Sequence, residues 1–259
     1  MSSTLPPNVR VFPDADATAA AAAQTFVDLA LAAVAAQKPF RVALSGGSTP
    51  KRLYAILASR PEFRDAAPWG KIHFFFSDER HVPPDHADSN YNTAKQGLFS
   101  KLPIPAANIH RVHGELPDAA DAAGRYQNAI AASFGGNAEE VPAFDLVFLG
   151  MGADGHTASL FPGTEGLGEK KKWVAANRVP QLDTDRITFT YPLLNAAEKV
   201  LLLVTGADKA ERLETIFTPG APDIYPVQAV KPKPGALEWF LDAAAAAKIA
   251  PAPAPAAAA

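Results

Sequence analysis

Short apolar runs recur along this chain between longer stretches whose apolar positions fall at helical spacing. The runs at Arg41–Leu44, Ile72–Phe76, Phe144–Leu149, Arg186–Thr190 and Val200–Val204 predict strands. They are continuous rather than alternating, as expected of strands buried on both faces. Helical patterns fall at Thr18–Ala36, Pro50–Ala58, Ser89–Phe99, Asp118–Phe134, Asp208–Phe217 and Ala236–Ala247. Strands alternating with helices predict an α/β fold, a mostly parallel sheet with helices on both faces. Thr49 is the expected cap of the second helix, with Pro50 at its first position, where a missing N–H costs nothing. Residues 137–142 and 163–172 read as surface connections, 1–249 as one domain, and the proline-alternating PAPAPAAAA of 250–259 as a disordered tail.

In an open parallel sheet, ligands lie beyond the carboxyl ends of the strands. Four segments follow predicted strands: Ser45-Gly46-Gly47-Ser48-Thr49, Ser77-Asp78-Glu79-Arg80, Gly150 to His156, and Thr205 to Lys209. The first leads into a helix start, where glycine amides and the helix dipole favour an anion. It lacks the Gly-Lys-Ser/Thr of a nucleotide-binding loop, so a small phosphorylated metabolite suits it better than ATP. Arg80 and Lys209 come to the same sheet edge and can neutralise a phosphate dianion. Lys170-Lys171-Lys172 lies away from any strand end and reads as a solvated face.

The third segment contains a G-x-G-x-x-G at Gly150, Gly152 and Gly155. A dinucleotide site is disfavoured there. The motif is mid-chain, Asp154 would oppose a pyrophosphate, and Pro162 limits any following helix to about two turns. The glycines instead present Asp154 and His156 at the cleft mouth, an acid/base pair because imidazole titrates near neutrality and a carboxylate can orient it. Asp78 and Glu79 add carboxylates, but no metal-ligand spacing is recognisable. His73, His81, His86, His110 and His113 read as bystanders.

Bulk properties narrow the classes. Lys plus Arg number 24 against 27 Asp plus Glu, a net charge of −3 that offers no field for nucleic acid or anionic lipid. Cysteine is absent, which excludes disulfides, thiolate metal sites and cysteine nucleophiles. The N-terminal sequence lacks a secretory pattern, and no apolar stretch is expected to span a membrane, so the reading is a soluble protein.

Five stretches, taken together, resemble the 6-phosphogluconolactonases, within the larger group that also holds the glucosamine-6-phosphate deaminases. They are LSGGSTP at 44–50, SDERHVPPDHADSNY at 77–91, DLVFLGMGADGHTASLFPGT at 145–164, RITFTYPLLNAAE at 186–198 and VTGADKAERL at 204–213. The resemblance implies a single Rossmann-like domain, no cofactor, and a phosphosugar lactone as substrate, in a cytoplasmic, monomeric enzyme of the oxidative pentose phosphate pathway. It makes His156 the general base and Asp154 its orienting partner. It assigns the phosphate to Gly46, Gly47, Ser48, Thr49, Arg80 and Lys209, with Ser45 in the same loop, Arg186 lining the pocket and Asp78 supporting it. The deaminases resemble DGHIAFNEP where this chain has DGHTASLFP, so Phe161 stands at their glutamate. A deaminase-like isomerase and a non-catalytic sugar-phosphate binding module remain the alternatives.

Overall fold

The computed structural model describes residues 5–136, 140–232 and 236–249. The elements run β1 (Val9–Phe12), α1 (Ala15–Ala35), β2 (Phe40–Leu44), α2 (Ser48–Ser59), α3 (Pro61–Arg64), β3 (Ile72–Phe76), β4 (Asp78–Arg80), α4 (Asn90–Gly97), α5 (Ala119–Ser133), β5 (Leu146–Leu149), β6 (Val174–Val179), β7 (Thr184–Phe189), α6 (Tyr191–Ala196), β8 (Lys199–Val204), α7 (Ala210–Phe217) and β9 (Ala236–Asp242). Six strands form a wholly parallel sheet in the order β1-β9-β8-β5-β2-β3, and β4-β7-β6 form a separate antiparallel sheet.

Successive side chains of the parallel strands enter opposite cores, as the two-residue period requires. Val42, Leu44, Phe74, Phe76, Phe148 and Leu201 pack with Phe26 of α1 and Leu53 and Tyr54 of α2. Ala43, Phe75, Val147, Leu149 and Leu202 pack on the other face with Tyr126 and Ile130 of α5 and Leu193 and Leu194 of α6. A one-residue slip would exchange the two sets, so the pattern fixes the register. The α/β architecture expected from the alternation is what is found.

Several expectations change. The Ala236–Ala247 segment, rich in helix formers, begins as strand β9 between β1 and β8. Trp239 and Leu241 enter one core and Phe240 the other, so packing on two faces overrides the intrinsic helix preference of the alanines and leucines. The run at Arg186–Thr190 lies in β7, paired antiparallel with β4 and β6 rather than in the parallel sheet. Gly47, not Thr49, caps α2. The first helix also starts earlier than expected, capped by Asp14, whose carboxylate accepts from the Ala17 amide at 2.8 Å.

Helix α1 has the length and apolar composition to cross a membrane, contrary to expectation. Its Thr18, Ala19, Ala22, Ala23, Phe26, Val27, Ala30 and Ala33 stripe is buried in this fold, and alanine lets the helix approach the sheet closely. Lys170, Lys171 and Lys172 are exposed, as expected. The expected surface connection at 137–142 lies partly, and the tail at 250–259 wholly, outside the described residues.

Candidate active site

The carboxyl ends of β2, β5 and β8 open into one cleft, lined by Ser45, Gly46, Gly47, Ser48, Thr49, Asp78, Arg80, His156 and Lys209. An adjoining recess contains Asp154 and Arg186 and shares Asp78, Arg80 and His156 with the cleft. Every residue that the resemblance assigns to catalysis or to substrate binding therefore lines this connected space, whereas Glu79 does not.

The glycine-rich loop is shaped by contacts that admit no side chain. A Cβ on Gly46 would lie 1.9 Å from Asn90 Oδ1. Gly47 has φ +101°, a conformation open chiefly to glycine, and as the cap of α2 it offers no side chain to the first-turn amides. Those amides are left to an incoming anion at the positive end of the helix. The Ser45 carbonyl accepts from Tyr54 at 2.6 Å, and the Thr49 and Thr205 hydroxyls lie 2.7 Å apart, tying the ends of β2 and β8 together.

The cations surround this loop. Arg80 and Arg186 are directly opposite across the antiparallel β4–β7 pair. Like charges so placed repel. Burial lowers the proton affinity of the Arg186 guanidinium, and Arg80 lowers it further, against the opposing pull of Asp78, Asp88 and Glu79. Arg80 Nη1 donates to the Asp88 carbonyl at 2.5 Å, and the Arg186 contact in the described residues is a long 3.4 Å bond to Thr184 Oγ1. A dianion between the two would convert repulsion into charge-assisted binding. Lys209, at the start of α7, pairs with Asp208 at 2.6 Å.

The acid/base pair is geometrically defined. Asp154 Oδ1 lies 2.6 Å from His156 Nδ1 and accepts the His156 amide at 3.1 Å. A carboxylate can only accept, so Nδ1 carries the proton and Nε2 of the neutral ring keeps its lone pair. Burial raises the Asp154 carboxyl, but the His156 amide and imidazole outweigh this and hold it below the usual range. Phe161 stacks on the imidazole at 4.0 Å between ring centroids. The turn containing this pair continues irregularly into a short 3-10 turn at Glu165–Gly168, and no helix lies between the pair and Pro162.

Two buried carboxylates play different parts. Asp78 accepts from Ser159 Oγ at 2.7 Å and from Asn90 Nδ2 at 3.4 Å, which fixes it at the wall shared by cleft and recess. Glu79 turns away, accepting from the Arg80 and Asn90 amides at 2.8 and 2.7 Å, the Tyr91 amide at 2.8 Å and Ser89 Oγ at 3.0 Å. Burial raises its pKa against the pull of those amides. It thus holds the start of α4 against β4 and fixes the backbone of Arg80. Sequence reasoning missed Glu79's structural role and the parts of Asn90, Ser159 and Thr205; only Ser89, a serine before a helix, gave a local signal.

The other histidines lie elsewhere. His81 contacts the Leu116 carbonyl, His86 the Asp88 amide and His113 Glu115. His73 and His110 pair at 3.1 Å on β3 and the adjoining loop. Among the described residues, no group of three or more His, Asp or Glu side chains is placed to hold a metal ion.

The family model described as glucosamine-6-phosphate isomerases/6-phosphogluconolactonase matches residues 13–239. A 6-phosphogluconolactonase of Nostoc sp. is 42% identical over 242 residues, 93% of this chain and 98% of that protein. One from Haemophilus influenzae is 39% identical over 208 residues, 80% of this chain and 86% of that one. The solved 6-phosphogluconolactonase from Trypanosoma cruzi has a TM-score of 0.83 at 31% identity, covering 96% of this chain and 98% of its own. A solved monomeric glucosamine-6-phosphate deaminase has a TM-score of 0.75 over 93% of this chain and 99% of its own, but at 18% identity it shares the fold alone. The chain belongs to the glucosamine-6-phosphate isomerase/6-phosphogluconolactonase family.

Proposed function

We propose that this chain hydrolyses 6-phosphogluconolactone to 6-phosphogluconate, with His156 as general base. The carrying observation is the imidazole whose Nδ1 is held by Asp154 while Nε2 stays available in the cleft that contains the glycine-rich loop and cations. Water gives a proton to Nε2 as its oxygen bonds to the lactone carbonyl carbon. The tetrahedral oxyanion then re-forms the carbonyl, the ring C–O bond breaks, and the ring oxygen takes the proton back from His156. Asp154 stabilises the transient imidazolium. General-base help of about 10²- to 10⁴-fold suffices for an activated ester, so no covalent intermediate is needed.

The phosphate takes the first-turn amides of α2 with Ser48, Thr49, Arg80, Arg186 and Lys209, and Asp78 accepts from a sugar hydroxyl. Phe161 offers an apolar ring where the deaminase pattern has a carboxylate, which favours hydrolysis over amino-sugar chemistry. On this reading the enzyme acts in the cytoplasm and as a monomer, the latter because one chain furnishes both poles of the site. The test is hydrolysis of freshly generated lactone, with spontaneous decay subtracted and EDTA present, beside a His156→Ala variant. Acceleration lost in the variant supports the reading. Equal acceleration by the wild type and the variant sinks the His156 assignment, and no acceleration by the wild type sinks the activity.

A further inference from the structure

The loop that presents Asp154 and His156 is held from outside by two residues that the reaction itself does not use. Arg212, on the first turn of α7, donates through Nε to the Ala153 carbonyl at 2.9 Å and through Nη1 to the Tyr225 hydroxyl. Its guanidinium also lies over the Tyr225 ring, 4.2 Å from the centroid. That ring presses on Gly155, where an added Cβ would lie 2.8 Å from its Cγ and Cδ1, and Gly155 has φ +81°. The Gly155 carbonyl in turn accepts the Val227 amide at 3.1 Å. The residues on both sides of Asp154 are thus fastened to one strap.

The strap is anchored. Gln228 Oε1 accepts the Ile224 and Tyr225 amides at 3.0 and 2.9 Å. Tyr191 donates to the Pro226 carbonyl at 2.9 Å, and Asn195 to the Ala229 carbonyl at 3.1 Å, so α6 holds the strap from below. Lys209 immediately precedes α7, which presents Arg212 one turn later. One short helix therefore connects a phosphate cation to the base-bearing loop.

We infer that Arg212 and Tyr225 are positioning residues, a latch that sets His156 at a fixed distance and orientation from the phosphate pole. This inference rests on the proposed hydrolysis. A guanidinium is needed because Ala153 and Tyr225 are engaged by two nitrogens of one rigid plane, which an ammonium cannot reproduce. The latch touches no substrate, so its loss misplaces the base and leaves phosphate binding in place.

The experiment measures kcat and KM for Arg212→Ala, Arg212→Lys, Tyr225→Ala and Tyr225→Phe, together with nitrogen-15 resonances of the His156 ring. Arg212→Ala and Tyr225→Ala are expected to lose about 10- to 100-fold in kcat, the cost of displacing a reacting group by roughly 1 Å. KM is expected to stay within about twofold, because uniform binding is untouched. The Nδ1–H signal locked on Asp154 should weaken or average in both alanine variants. Tyr225→Phe keeps the ring on Gly155 and should recover most of the kcat lost in Tyr225→Ala, whereas Arg212→Lys should recover little of the loss in Arg212→Ala. Wild-type kcat with an unchanged ring signal in Arg212→Ala would overturn the latch, as would a rise in KM alone. If an alanine variant does not fold, the lysine and phenylalanine variants still decide the question. A wild type without lactonase activity would defeat the functional reading separately, and the ring resonances would still judge the latch.

Discussion

Gly152→Ala is the smallest change with a large expected effect. A Cβ there would lie 2.2 Å from Nδ1 and Cε1 of His156 and 2.6 Å from Asp154 Oδ1. Gly152 is not among the residues at positive φ, so the backbone accepts alanine and the conflict falls on the side chains. Non-bonded atoms settle near 3.5 Å, so the imidazole must retreat on the order of 1 Å or surrender its bond to Asp154. A displacement of that size costs about 100-fold in kcat, or about 2.7 kcal/mol of transition-state stabilisation. The phosphate cradle is built on α2, β4, β7 and α7 and stays in place, so KM should change by less than about twofold. Steady-state lactone hydrolysis with spontaneous decay subtracted reads both constants, and a thermal melt checks folding. A Gly152→Ala enzyme that folds and keeps the wild-type kcat would refute the claim that the Asp154–His156 geometry sets the rate.

Removing one of the facing arginines should separate stability from function: Arg186→Met is expected to raise KM by at least about tenfold while stabilising the ligand-free protein by about 0.2–1 kcal/mol, since it ends a like-charge cross-strand pair. A lower ligand-free melting temperature would count against it. Glu79→Gln should cost about 1–3 kcal/mol in urea unfolding, because an amide donor then faces amides and a hydroxyl that need an acceptor; an unchanged midpoint would show that the bonds are dispensable. Burial, with His73 and Arg41 nearby, lowers the His110 pKa to about 4. The folded state therefore keeps His110 neutral while the unfolded chain takes up a proton below about 6.5, and stability declines as pH falls from there to about 4. The loss is about 1–2 kcal/mol after allowing for solvent screening of a half-exposed group. Urea midpoints across that range should show a decline that His110→Gln flattens, and equal slopes in both proteins would exclude His110 as the source.

The strands of the parallel sheet were legible where both faces are buried, because β2, β3, β5 and β8 read as mostly apolar runs interrupted at most by a single residue such as Arg41 or His73. Strand β9 was not, because Ala236 to Ala247 is composed of good helix formers and only its slot between β1 and β8 decides the outcome. Strands β4 and β6 escaped because each is short or polar and its pairing is set by β7, distant in sequence. The site residues were legible as types, since glycines, a His-Asp pair and cations at strand ends advertise their chemistry. Their supports were not. Nothing in the spacing of Arg212 and Tyr225, or of Glu79 and Asn90, signals that tertiary folding brings them to the backbone of the reacting loops.

The placement of β9 bears on how the molecule is made. Among the described residues β1 pairs with β9 alone, and β9 is also the outer neighbour of β8. Asp242 at the end of β9 accepts the Gly206 amide at 3.1 Å, beside the turn that presents Lys209. During synthesis the first strand must wait, unpaired, until more than two hundred residues have followed it. Loop closure over such a span is slow, and exposed strand edges invite pairing with other chains. The sheet and the phosphate pole are therefore completed together, when β9 leaves the ribosome, and a nascent chain halted before β9 is a species for chaperones to hold and not a partly active enzyme.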